Sequence, residues 1–188
     1  MIERLREQAV ERMRALEQAH DSGETQAKSV ERQGGFTLPD EGDFAVLLDA
    51  LEPHAQRIAP MVRKCARMCS VRLQTPGAAD KALPWHQDAQ PMKMMPKMAG
   101  VVAWVPLDDI DGTRPDLEFG PIVGRVLKHT NTERHFAEQC EVEVDEREPV
   151  YGMRQGDVMF FSPYQLHRTR MVGERERYSI DVRFREGW

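Results

Sequence analysis

The sequence is short of cysteine, of long apolar runs and of excess basic charge, and each shortage excludes something. Cys65, Cys69 and Cys140 are an odd number at spacings that suit neither a disulfide framework nor a zinc site, so they read as reduced structural thiols. No apolar run approaches membrane-spanning length. The N-terminal MIERLREQAVERMRALEQ is charged throughout and lacks the apolar core and cleavage site of a secretory signal, which points to a cytoplasmic protein with no membrane partner. With 26 basic against 31 acidic residues the net charge is -5. A nucleic acid partner, whose phosphates need a basic face, is disfavoured, and a small-molecule substrate is the better expectation.

What is present suits one folded unit. At 188 residues, 40% of them hydrophobic, the chain can bury a core without disulfides or structural zinc. Ile2, Leu5, Ala9, Met13 and Leu16 recur every three or four residues, which describes an amphipathic helix. Its stripe is expected either to lie against the same domain or to form a homodimer contact. A polar connection ending in Gly34-Gly35 follows, so residues 1–35 read as helix plus linker. Residues 36–66 read as a helical buttress: one helix after Pro39 and Asp40 that stops at Pro53, then a short one from His54 to Lys64.

From residue 67 to 188 the pattern changes to short β-branched and apolar segments between Pro, Gly and Asp: CSVRLQT, GVVAWVPL, LEFGPIV, CEVEVDE, GDVMFFS and RYSIDVRF. These are expected strands of an all-β sandwich or barrel. The fold class is therefore mainly β with N-terminal helices, a double-stranded β-helix (a cupin-like jelly roll) buttressed by helices.

Two segments carry chemistry. In LPWHQDAQ, His86 and Asp88 stand two apart and on an extended strand project to one face. In GDVMFFSPYQLHRTRMV, His167 follows an apolar strand and is placed to reach inward. Two imidazoles and a carboxylate on one face of an octahedral ion leave three positions open, the arrangement of Fe(II) oxygenases. A closed zinc site would need a fourth protein ligand.

With HQD at 86–88, AWVPLDDIDG at 103–112, GDVMFF leading to His167, and Arg177 in RYSIDVRF, the chain resembles the phytanoyl-CoA dioxygenase family of 2-oxoglutarate-dependent oxygenases from about residue 68 to 185. The resemblance implies that His86, Asp88 and His167 bind Fe(II), that Arg177 binds the distal carboxylate of 2-oxoglutarate, and that Thr169 and Trp104 contact this cosubstrate. O₂ would be the second cosubstrate, with hydroxylation, succinate and CO₂ as the outcome. Asp88 favours hydroxylation over halogenation, because it fills the place a halide takes in halogenating relatives. A planar fork such as Arg suits a desolvated carboxylate better than Lys. The chain departs from the family after the LDD element, where DGTRPDLEFGPIVG replaces the usual Asn-Gly and Pro-Gly-Ser-His turns, and it is shorter between its two metal-binding segments. The rival reading is a non-catalytic cupin-like module, or one whose metal serves chemistry other than 2-oxoglutarate oxidation.

PMKMMPKM, residues 91–98, holds four methionines and two lysines directly after the His-x-Asp segment. It reads either as adaptable core filler or as a pocket wall in which Lys93, Met95 and Lys97 meet substrate. His20, His54, His129 and His135 read as surface histidines. Arg183 competes with Arg177 for the cosubstrate, but at strand rise it is expected about 20 Å further along.

Overall fold

Leu5, Ala9, Met13 and Leu16 make one face of α1 (Ile2–Gln18) and are all buried. Their cover is α2 (Gly42–Ile58), through Phe44, Leu47, Leu48, Leu51 and Ala55, together with one face of a sheet bearing Val71, Val101, Ala103, Val105, Ile180, Val182 and Phe184. Burying each of the larger side chains contributes roughly 1.5–3 kcal/mol. The helical stripe is thus consumed within the chain, the first of the two alternatives. The structure, a computed structural model, describes residues 1–19, 34–64, 69–78, 82–92, 94, 98–131, 138–140 and 142–186.

The larger sheet runs in the order β1 (Gly35–Thr37), β3 (Ser70–Gln74), β11 (Arg177–Arg185), β4 (Gly100–Pro106), β9 (Met159–Phe161), with β2 (Arg63–Lys64) also paired to β11. Facing it is a smaller sheet, β10 (Gln165–Arg170), β5 (Asp116–Ile122) and β8 (Glu148–Pro149), and β6 (His129–Asn131) pairs with β7 (Glu138–Cys140). Paired strands are antiparallel. The helices cover the outside of the larger sheet. Gly35 is required where it stands, since a Cβ there would lie 2.3 Å from the Val71 carbonyl oxygen.

Several expectations change. Pro53 lies inside α2 and does not end it. It sits on the exposed face, so the carbonyl that loses a helical partner can be hydrated. The separate helix from His54 to Lys64 does not exist, because the chain leaves α2 at Ile58 and enters β2. The 36–66 segment also supplies β1 and β2 to the larger sheet, so it is more than a buttress. Of CEVEVDE, Cys140 ends β7 and residues 142–146 form no strand; its alternation leaves exposed acidic residues at Glu143, Asp145 and Glu146. Among the described residues no helix is long and apolar enough to cross a membrane. Cys69 and Cys140 are buried and form no disulfide among the described residues, while Cys65 lies outside the described residues.

Candidate metal centre

β10 carries His167 on its edge, and the segment at His86 is laid antiparallel beside it. Each backbone N–H donates to the other's carbonyl at 3.0 Å, which brings the two imidazoles to a centroid separation of 4.1 Å. Further rungs hold the segment on both sides: Ala89 N–H donates to Pro163 O at 3.0 Å and Cys140 N–H to Trp85 O at 2.8 Å. Asp88 follows His86 by two and comes to the same cavity, so that His86, Asp88 and His167 offer ligand atoms all within 4.8 Å of one another, and all three are buried.

The imidazoles are prepared as ligands. His86 Nδ1 lies 2.7 Å from Pro84 O and His167 Nδ1 lies 3.0 Å from Gln165 O. A carbonyl can only accept, so the proton sits on Nδ1 and the Nε2 lone pair of each ring is left for an ion. Burial, and next the neighbouring His167, push the His86 pKa down to about 3, which keeps it neutral. Burial alone would raise the Asp88 carboxyl, but the Arg183 guanidinium outweighs it and holds it well below the usual carboxylate range. Two neutral nitrogens and one carboxylate fit a divalent first-row metal such as Fe(II).

Residues on β3, β4 and β11 form the opposite wall of the same cavity. Arg177 is buried there, donates from Nη1 to Pro115 O at 3.0 Å and lies 5.2 Å above the Trp104 ring. Among the described residues its Nε has no hydrogen-bond partner, nor do Gln74 Oε1 and Ser179 Oγ on β3 and β11. Burial lowers its pKa to about 10, so it remains a cation at neutral pH. A buried guanidinium with no carboxylate partner among the described residues is a fit for an anionic group. Thr169 and Trp104 line this cavity too, with Trp104 stacked on the guanidinium.

Arg183 departs from expectation. Instead of lying remote from the triad it grips Asp88, Nε to Oδ2 at 2.9 Å and Nη2 to Oδ1 at 3.0 Å. Distance along β11 is a poor guide, because Asp88 arrives from across the sheets. The shared odd parity of Arg177 and Arg183 was the usable signal.

His129 is not a surface residue: it is 8% exposed, and its Nε2 accepts from Gln87 N–H at 3.3 Å. Gln87, between the two metal-site residues, points to the other face. Its amide donates to Tyr164 O at 2.8 Å and Val123 O at 3.2 Å and accepts from Leu127 N–H at 2.9 Å, pinning the loop beneath the site. In the LDD element Asp108 accepts from Tyr178 N–H and from Arg6, both at 2.8 Å, tying α1 to the start of β11. His54 is exposed as expected, and His20 and His135 lie outside the described residues. So do Lys93, Met95 and Lys97. Met92 and Met94 pack with Ala89 and Val102, in keeping with core filling.

The sequence profile described as Phytanoyl-CoA dioxygenase (PhyH) matches residues 2–173, ending just before β11. Among solved structures, the chain is similar to EvdO2 from Micromonospora carbonacea var. aurantiaca complexed with 2-oxoglutarate (TM-score 0.56, 18% identity, covering 79% of this chain and 61% of that one). It is also similar to ThoJ, a non-heme monooxygenase in apo form (TM-score 0.62, 17% identity, 95% and 68% covered). AviO1 from Streptomyces viridochromogenes Tue57 gives TM-score 0.56 at 18% identity, with 81% and 66% covered. The chain therefore spans less than two thirds of the length of EvdO2, and at these identities the likeness is one of fold, the helix-buttressed jelly roll. No curated protein sequence matches. Because the family profile runs through both helices and every strand up to β11, this chain belongs to the phytanoyl-CoA dioxygenase (PhyH) family.

Proposed function

We propose that this protein is an Fe(II)- and 2-oxoglutarate-dependent oxygenase that hydroxylates a small-molecule substrate. The observation that carries this reading is the Arg177 guanidinium, which has no ion-pair partner among the described residues and is buried in the same cavity as His86, Asp88 and His167. A metal-binding module without 2-oxoglutarate chemistry gives no reason for a cation buried there, where desolvation is the largest influence on its charge and outweighs the more distant aspartates.

In this reading His86, Asp88 and His167 hold iron through Nε2, one carboxylate and Nε2. When bound, the iron with 2-oxoglutarate and O₂ supplies the oxidation, and succinate and CO₂ are the co-products. Arg177 and the Thr169 hydroxyl hold the far carboxylate of the cosubstrate, with Gln74 and Ser179 as further polar neighbours and Trp104 keeping the guanidinium in its plane. Val102, Leu117 and Phe161 line the rest of the cavity and exclude water. Asp88 occupies the place a halide would need, which favours hydroxylation.

Anaerobic addition of Fe(II) and 2-oxoglutarate should give a weak visible charge-transfer band, and screening small molecules for stimulated succinate release should identify the substrate class. The band should vanish in Arg177→Ala at subsaturating 2-oxoglutarate. Its absence from the unaltered protein, with iron bound, would remove the 2-oxoglutarate assignment and leave a metal site of other use.

A further inference from the structure

Resting on the assignment of Asp88 as a metal ligand, we infer that Arg183 is the positioning residue that fixes the Asp88 carboxylate for one-oxygen ligation. Its guanidinium lies against both oxygens: Nη2 donates a hydrogen bond to Oδ1 at 3.0 Å, and Nε makes an ion-pair contact with Oδ2 at 2.9 Å. An aspartate held by a point charge, or by none, turns about its last bond and can clasp an ion with both oxygens. One held by a fork cannot. A clasping carboxylate would fill one of the three positions that the His-x-Asp and His167 ligands leave open.

The fork is itself held. β11 is paired with β4 along Ser179–Arg185 and, on its other edge, with β3 up to Asp181 and with β2 from Phe184, so the strand is held beside Arg183 by β4 and on the other edge just before and just after it. Beside the guanidinium, Asp181 Oδ2 lies 3.8 Å from Nη2 and is paired with Arg72 Nε at 3.3 Å, with Ser70 Oγ at 3.5 Å. Charges therefore alternate Asp88, Arg183, Asp181, Arg72 across the interior. The family profile ends at residue 173, so the family match does not reach Arg183, and this role rests on the geometry of this chain.

A different role predicts the opposite sign. Were Arg183 merely a counter-charge for a buried carboxylate, its removal would take a cation away from the metal, and a divalent ion would bind as well or better. Positioning predicts weaker binding even where the charge is kept, since removal of groups that orient ligands costs about 10- to 100-fold in metal affinity.

The test is calorimetric titration of the full metal-free chain with Co(II), with the visible spectrum of bound Co(II) as a second readout of ligand geometry. Arg183→Lys and Arg183→Gln are each expected to bind about 10- to 100-fold more weakly than the unaltered protein and to change the Co(II) spectrum. Arg170→Lys, which alters the bidentate, partly buried Arg170–Asp116 pair (2.9 and 2.6 Å) on the other sheet, should leave affinity and spectrum unchanged, so that general weakening of an interior arginine–aspartate pair is distinguished. Circular dichroism verifies folding, and if Arg183→Gln does not fold, Arg183→Lys decides alone. Unaltered affinity in a folded Arg183 variant overturns the inference. Co(II) binding by Asp88→Ala equal to that of the unaltered protein instead overturns the metal assignment, and this inference with it.

Discussion

The two faces of β11 are both buried, yet they are built from opposite materials. Tyr178, Ile180, Val182 and Phe184 pack under α1 and α2, while Arg177, Ser179, Asp181, Arg183 and Arg185 face the space between the sheets. An antiparallel sheet commonly turns its polar face to water. Here Arg177 is 2% exposed, Ser179 0% and Arg183 7%. The apolar face stabilises the fold through burial. The polar face costs desolvation, which the proposed binding of metal and cosubstrate would offset.

The comparison is sharpened most by removing a polar-face partner of the site. His86→Ala, Asp88→Ala or His167→Ala should each abolish turnover and metal binding while circular dichroism shows a native fold, because one of three ligands is lost. Turnover retained in Asp88→Ala would mean that the iron site is elsewhere. On the other face Phe184→Ala should lower stability by about 3–5 kcal/mol, read as a drop in urea midpoint, with the Co(II) affinity of the folded fraction unchanged. A selective loss of affinity there would show that the faces are not separable.

Arg177→Lys should weaken 2-oxoglutarate binding by about 1.5–3 kcal/mol and leave iron affinity nearly intact. The reverse pattern, with the cosubstrate constant rising in Arg183→Lys and not in Arg177→Lys, would exchange the two arginines. Ser179→Ala removes a buried hydroxyl that has no partner, so the cosubstrate-free protein should keep or slightly raise its urea midpoint. A loss above about 1 kcal/mol would place Ser179 among the stabilising groups.

The smallest effect lies at the margin of the apolar face, where burial, and then Glu176 and Glu17, push the Tyr178 phenol up to about 12. A phenol whose pKa is raised by folding contributes nothing to pH dependence below its unfolded value near 10. Stability should then decline from pH 10 to 12 as the unfolded chain ionises first. Tyr178→Phe should flatten that decline, measured by denaturant midpoint against pH, and an unchanged slope would assign it to other groups.

Much of this was legible in the sequence, where periodicity or local spacing carries the information. The stripe of α1, the spans of β3, β4, β5 and β11, and the pairing of His86 with Asp88 all follow from residues within a turn or a strand of one another. Pro53 misled because a proline's cost depends on which way its helix face points, which a window of sequence does not reveal. His129 misled for a related reason: its polar neighbours in sequence are not its neighbours in space, where Gln87 meets it. Arg183 was assigned by its distance along one strand, but its partner crosses from the other sheet. Long-range contacts of this kind decide how a site is held, even where local pattern identifies the groups within it.

One consequence follows from the backbone rung between His86 and His167. Their amide hydrogens are each bonded to the other residue's carbonyl, so neither can exchange with solvent deuterium unless the rung opens. Opening it would also move the two imidazoles relative to one another. An ion bound as proposed would therefore favour the closed rung, and these two amides should exchange more slowly with Co(II) bound than without it.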